Sequence, residues 1–137
     1  MSRAPWFAFL LVAVLGCTLP PEQVPLKPLP DDGPPQTYTD VVARARVQAT
    51  AANEAFYINN WSDLEEAARG LEQTVRFLGK ASDVPGNHKD TLVGETGSLG
   101  TESAKLREAA KNHDTKQATE SLQRINLQIR ALRPSDH

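Results

Sequence analysis

Residues 61–78, WSDLEEAARGLEQTVRFL, decide the fold of this chain. Apolar side chains recur here at steps of four and three residues, namely Leu64, Ala68, Leu71, Val75 and Leu78. This spacing places them on one face of a helix, in the pattern of a bundle seam. Ser62 and Glu65 form a capping box, in which a hydroxyl accepts from a free amide and a carboxylate reaches back. Ser62 is therefore predicted to cap this helix.

A helix is also predicted before this stretch, from Thr39 to about Asn59. Its apolar stripe consists of Val41, Val42, Ala45, Ala49, Ala52 and Phe56. The segment 81–87 after the second helix contains the pair Pro85-Gly86 and is predicted to be a loop. The spacing of these two helices leaves room for only a short connection between them.

Two more helices are predicted after the loop. Leu92, Leu99 and Leu106 recur every seven residues, but Gly94, Gly97 and Gly100 each disfavour a helix by about 1 kcal/mol relative to alanine. The part before Ser98 is therefore either frayed, or its glycines allow a neighbouring helix to approach closely. The last helix is predicted to start at Asp114, with Gln117 three residues on, and to stop at Pro134. Its stripe comprises Ala118, Leu122, Ile125, Ile129 and Leu132.

These patterns predict an all-α fold: an antiparallel four-helix bundle over residues 38–134, with a tail at 135–137. The length of 137 residues suits one small domain. The seams do not distinguish an internal core from a subunit interface, so a homodimer stays open.

The chain begins with MSRAPWFAFLLVAVLGC, in which one basic residue precedes an apolar run that is too short to span a bilayer. This layout is typical of a secretory signal. Its end, Val14-Leu15-Gly16-Cys17, resembles the bacterial lipobox, which implies cleavage after residue 16 and lipidation of Cys17. Thr18 rather than aspartate after the cysteine favours, by resemblance to bacterial sorting rules, the periplasmic face of the outer membrane over the inner membrane. A plain secretory signal with an incidental cysteine is the alternative.

Residues 17–37 join this anchor to the domain and are rich in proline. Each proline removes a backbone donor and fixes φ, so the segment is predicted to be an extended tether of polyproline type. The PxxP spacing of Pro25 and Pro28 leaves a docking motif as the weaker alternative to a spacer.

The span 104–134, AKLREAAKNHDTKQATESLQRINLQIRALRP, resembles the last two helices of the four-helix cytochromes, the cytochrome c-prime family and its b-type relatives. The shared features are a helix ending in Leu-x-x-Ala-Ala, a polar turn with an aspartate, and an Ala-rich helix with a basic end. The resemblance implies a haem held by a histidine of the last helix. Here that helix has neither histidine nor cysteine, and Met1 is the only methionine. No cofactor is therefore expected.

Few residues suggest catalysis or metal binding. The histidines His88 and His113 are expected to lie at the surface, and each has at most a partial set of ligands nearby in sequence. The sequence contains no nucleophile elbow, phosphate loop or dinucleotide fingerprint, so it does not indicate an enzyme. The net charge of −2 without a basic block gives no reason to expect nucleic-acid binding.

Phe56, Tyr57 and Trp61 lie close together in sequence, around the first turn between helices. They are expected either to close one end of the bundle or to anchor a protein partner, since exposed aromatic residues are enriched at binding hot spots. The sequence as a whole favours an envelope lipoprotein whose haemless bundle is a binding or scaffolding module for an unknown envelope protein. The alternative is a periplasmic cytochrome-like bundle that binds haem or metal noncovalently through His88 or His113, for electron transfer or sensing.

Replacing Cys17 by serine removes the thiol that a lipid would occupy. We expect the variant to leave the membrane fraction, because the remaining apolar run is too short to anchor the chain. Fractionation of cells that produce either form measures this, and equal membrane retention of both forms would disprove the lipid tether.

Overall fold

A computed structural model describes residues 26–134, which form five helices and no strand. The helices are α1 (Tyr38–Tyr57), α2 (Trp61–Leu78), the short α3 (Gly86–Lys89), α4 (Leu92–Asn112) and α5 (Thr115–Ala131). The all-α prediction is confirmed, and α1, α2, α4 and α5 correspond to the four predicted helices. The sequence did not predict α3. The predicted signal, Cys17 and the tail lie outside the described residues.

Each long helix packs against two others: α1 against α2 and α5, and α4 against the same pair. The core between them consists mainly of alanine, leucine, isoleucine and valine side chains, together with Tyr38 and Phe77. All five predicted positions of α5 are buried, as are four of the five in residues 61–78, with Val75 half-buried. In α1 the predicted stripe is buried except for Phe56, which packs against the core from its edge.

The two predicted helix starts differ in outcome. Asp114 does cap α5, because its Oδ1 accepts from the Gln117 amide at 3.0 Å. The prediction of Ser62 as the cap of α2 is wrong: the helix begins at Trp61, and Asn60 Oδ1 accepts from the Asp63 amide at 3.2 Å. Asn59 has a φ of 56°, in the left-handed region that asparagine tolerates. The cap of α2 therefore lies two residues earlier than the capping box indicates.

The first half of α4 is a regular helix from Leu92, despite its glycines. A Cβ added at Gly94 or Gly97 would meet nothing within 4 Å, whereas one at Gly100 would lie 3.4 Å from Val75 Cγ1 of α2. Close approach of a neighbouring helix therefore explains Gly100 alone. Gly94 and Gly97 face open space.

Residues 26–36, called the strap here, lie against α1 and α2. The side-chain amide of Gln73 in α2 donates to the Leu29 carbonyl at 2.9 Å and accepts from the Leu29 amide at 3.3 Å. The Arg44 guanidinium of α1 donates to the carbonyl of Lys27, and Leu29 packs on the core. These residues of the predicted tether therefore pack on the helices, because an extended backbone has unpaired groups that the helix side chains can bond.

The strap is also held where it enters α1. The Ser82 amide donates to the Gln36 carbonyl, and the Tyr38 amide donates to the Ser82 carbonyl, both at 3.0 Å. This isolated parallel bridge between Thr37 and Ser82 joins the start of α1 to the loop after α2. The strap therefore contacts the helical part of the chain at both of its ends.

Replacing Gln73 by alanine removes both hydrogen bonds to Leu29. We expect the free energy of unfolding to fall by about 1–2 kcal/mol, since a typical hydrogen bond contributes about 0.5–1.5 kcal/mol net. Urea denaturation measures this loss, and hydrogen exchange at the Leu29 amide reports release of the strap. Gln123→Ala in α5 is the matched control, because Gln123 is exposed and the substitution gives the same gain in helix propensity. Equal stability of the two variants would contradict the docked strap.

Candidate functional site

In the described part of the chain, side chains of functional types meet in an aromatic cluster, in a histidine cluster and along a groove between α1 and α2. The predicted lipidation site Cys17 lies outside residues 26–134.

The aromatic cluster consists of Phe56, Trp61 and His113. The Trp61 ring stacks on His113, with centroids 5.0 Å apart and planes 9° apart, and it meets Phe56 edge-on at 6.0 Å. His113 has a φ of 53° and ends α4 in a left-handed conformation, which turns the chain toward α5. Phe56 and Trp61 thus bring together the end of α1, the start of α2 and the end of α4. This contact favours the packing interpretation for both rings.

Tyr57 differs from the other two predicted aromatics. Its side chain is 87% exposed, and the neighbouring Ile58 is 66% exposed. Large apolar surface held in water at a helix end is a feature of binding sites. Sequence reasoning missed Ile58, although its position outside the apolar stripe of α1 could have indicated an outward side chain.

The histidine cluster consists of Tyr38, His88 and Glu95. His88 is only 5% exposed, so the expectation of a surface histidine is wrong. Its ring stacks on Tyr38 with centroids 5.6 Å apart, and its Nδ1 lies 3.2 Å from Glu95 Oε2. Its Nε2 lies 3.3 Å from the carbonyl oxygen of Arg133. The short helix α3, which no periodicity in the sequence indicated, turns this ring inward.

These contacts limit what His88 can bind. Both ring nitrogens face acceptor oxygens of the protein, so neither directs a lone pair toward open space for a metal. His88 precedes α4 and His113 follows it, and the 21 residues of that helix separate them by about 30 Å. Residues 26–134 contain no group of three histidine, cysteine or acidic side chains that could hold a metal ion. The two histidines therefore do not belong to one site.

Tyr38 is the buried centre of the histidine cluster. It is 1% exposed, and its hydroxyl donates to the carbonyl of Leu132 at 2.6 Å. The pKa of Tyr38 is raised from 10.0 to about 12, chiefly because burial disfavours the phenolate. The Glu95 carboxylate adds to the rise, and Arg46 opposes it. The start of α1 is thereby joined to the end of α5 by a hydroxyl that stays protonated at neutral pH.

The groove between α1 and α2 has a volume of about 250 Å³. Its apolar lining is Leu26 of the strap, Val47, Ala51, Ala55 and Ile58 of α1, and Ala67 of α2. Glu54, Asp63 and Glu66 also line it. The groove therefore combines an apolar wall with carboxylates from both helices.

A buried polar pair fixes the distance between α1 and α2 beside this groove. Thr74 donates to Gln48 Oε1 at 2.5 Å, and both side chains are buried. A Cβ at Gly70 would lie 2.7 Å from Gln48 Nε2, so the glycine makes room for the amide. The seam pattern of residues 61–78 gave no signal of this pair, because Gln48 and Thr74 are polar residues at core positions.

A second polar contact joins α4 to α5. Glu102 is 7% exposed, and its carboxylate lies 3.0 Å from Lys105 Nζ and 3.5 Å from Arg124 Nη1. Glu72 of α2 similarly pairs with Arg107 of α4 at 3.4 Å. Glu65, by contrast, pairs within α2, with Arg69 at 2.8 Å.

Comparison with family models, with curated proteins and with solved structures finds no match for this chain. The resemblance to four-helix cytochromes therefore rests on the sequence features alone. Among residues 26–134, no helix has both the length and the apolar character needed to cross a bilayer.

The alkaline stability of the protein should depend on Tyr38. Because its pKa is higher in the folded chain, its contribution is complete below about pH 10 and is lost as the pH rises from 10 through 12. Tyr38→Phe removes this contribution, so we expect the variant to lose less stability over that range than the natural chain. Denaturation at several pH values, with tyrosinate absorbance recorded in parallel, measures the difference. Parallel alkaline profiles of the two proteins would contradict the burial of a protonated Tyr38.

Proposed function

We propose that this protein is an envelope lipoprotein whose antiparallel four-helix bundle binds a protein partner and carries no haem. Three features support the bundle. The connections between α1 and α2 and between α4 and α5 are short, the second of only two residues. The contacts α1–α2, α2–α4, α4–α5 and α5–α1 also form a closed ring of four helices. The lipid anchor at Cys17 and the periplasmic face of the outer membrane remain as predicted from the sequence.

The observation that carries the binding function is the exposed apolar surface at the α1–α2 turn. Ile58 is exposed and lines the groove between α1 and α2, and the exposed Tyr57 precedes it at the end of α1. Val47 lies about three helical turns earlier on α1 and is 49% exposed. Val47 and Ile58 both line the groove, so apolar side chains follow it over about three turns of α1, which is the geometry that a helical or extended segment of a partner needs.

Charge identifies the kind of partner. Asp63 and Glu66 border the apolar wall of the groove, and Glu66 is exposed without an ion pair among the described residues. A segment with apolar side chains toward the wall and a lysine or arginine toward Glu66 complements both features. We therefore assign the groove to a basic, amphipathic segment of an envelope protein.

The alternative of a haem-binding or metal-binding bundle gains no support from the site geometry. His88 uses both nitrogens within the protein, and His113 stacks on Trp61. The buried side chains of α5, where the cytochrome family has its histidine, are Ala118, Ser121, Leu122, Ile125 and Ile129. None of these binds haem iron, so the residues do not fit the group.

Site-specific photo-crosslinking in intact cells tests the proposal. A photoreactive phenylalanine analogue at Tyr57 or Ile58 should give one discrete adduct, while the same analogue at Val93 or Leu127 should not. Those two controls are also exposed apolar residues, 84% and 64% respectively, but they lie on α4 and α5.

Charge reversal in the same experiment distinguishes a specific partner from random capture. Glu66→Lys should lower the adduct yield about fivefold, corresponding to a rim charge worth roughly 1 kcal/mol. Glu108→Lys, an exposed glutamate of α4, is the matched control and should leave the yield unchanged. Equal adducts from all four positions, or no effect of Glu66→Lys, would rule out the groove as the binding surface.

A further inference from the structure

A second pocket lies on the other side of α1, between α1 and α5. Its volume is about 230 Å³, and three arginines line it: Arg46 from α1, and Arg130 and Arg133 from α5 and the residues just after it. Ala49 and Ile129 contribute apolar lining. The pocket therefore has cations from two elements of the fold around a partly apolar surface.

The three arginines have no carboxylate partner within residues 26–134. Arg69, Arg107 and Arg124 each pair with a glutamate, whereas Arg44 and Arg76 resemble the pocket arginines in having no ion pair within residues 26–134. Like charges that surround one cavity repel each other, and this repulsion lowers stability unless an anion enters. The pocket is set apart by the three arginines that line one cavity in a chain whose net charge is −2.

A purely structural explanation accounts for only part of this arrangement. Positive charge at the end of a helix complements the helix dipole, which explains Arg130 in the last turn of α5. Arg46 lies near the middle of α1, where the dipole gives no benefit. Its presence in the pocket needs another reason.

Two other polar side chains that line the pocket form hydrogen bonds within the protein, so the guanidinium groups are the donors that face a ligand. Thr50 Oγ1 donates to the Arg46 carbonyl at 3.0 Å, and the Asn126 side-chain amide exchanges two hydrogen bonds of 3.2 Å with Asn53. Guanidinium groups present a planar pair of donors that matches the oxygens of phosphate. At about 230 Å³ the pocket is smaller than the roughly 300–1,000 Å³ typical of drug-sized ligands, so it suits a single head group.

We propose that the pocket formed by Arg46, Arg130 and Arg133 binds a phosphate group, supplied either by a small phosphorylated compound or by an anionic lipid head group. This site is separate from the proposed partner groove, and it does not require the protein partner. The phosphate oxygens accept hydrogen bonds from guanidinium groups of α1 and of the α5 end, and the bound charge relieves the repulsion among the three arginines.

Thermal unfolding of the full chain with inorganic phosphate tests the site, using chloride at equal ionic strength as the reference. We expect the midpoint to rise with phosphate concentration, as binding to the folded state requires. Arg46→Gln and Arg130→Gln should each weaken phosphate binding at least tenfold, while the variants without phosphate stay at least as stable as the natural chain. Arg76→Gln is the matched control, because Arg76 is exposed on α2 and lies outside the pocket.

Vesicles distinguish the two sources of phosphate. The Cys17→Ser chain, which lacks the lipidation thiol, is sedimented with phosphatidylcholine vesicles that contain or lack phosphatidic acid. Binding that needs phosphatidic acid and is lost in Arg46→Gln assigns the site to a lipid head group. A response to inorganic phosphate without vesicle binding assigns it to a small phosphorylated compound. An equal effect of chloride, or an equal loss in Arg76→Gln, would show general charge screening and overturn the site.

Discussion

The structure depends on the burial of four apolar stripes that no single helix can cover. The long helices have 17 to 21 residues, and in proteins such helices owe most of their stability to the packing of an amphipathic face. Each one packs against two others in a closed order, so the stripes of all four are buried together. Many of the buried side chains are alanines, which contribute little area each, and the stability must come from close packing along the whole length of the helices.

Polar contacts select one arrangement of these helices among those that the apolar stripes alone would permit. The Tyr38 hydroxyl reaches the Leu132 carbonyl across 94 positions of sequence, and the Asn53 and Asn126 amides pair between the same two helices. Gln48 with Thr74 fixes the neighbouring contact of α1 with α2. Each of these groups is buried or half-buried, so a misaligned helix would leave a polar atom without a partner, which is costly in an apolar interior.

The strap connects this packing to function. By docking on α1 and α2 through Leu29 and Lys27, it brings Leu26 to the wall of the α1–α2 groove, so the groove is built partly by the segment that leads toward Cys17. Any anchor before residue 26 is thus attached close to the proposed partner surface. The arginine pocket is lined by other residues of the same helix, so both proposed sites lie on α1 but on different faces.

The sequence by itself determined the four long helices, the cap at Asp114 and most of the buried stripe, because helical periodicity and capping are local properties that a few neighbouring residues encode. It did not determine the burial of His88, the cap at Asn60, the docking of the strap or the meeting of Arg46 with Arg130 and Arg133. These depend on contacts between residues far apart in the chain: His88 on Tyr38 and Arg133, Leu29 on Gln73, and Arg46 on the end of α5. The spacing of residues within one helix does not indicate which face of another helix that helix will contact. Only the tertiary structure could therefore decide these long-range contacts.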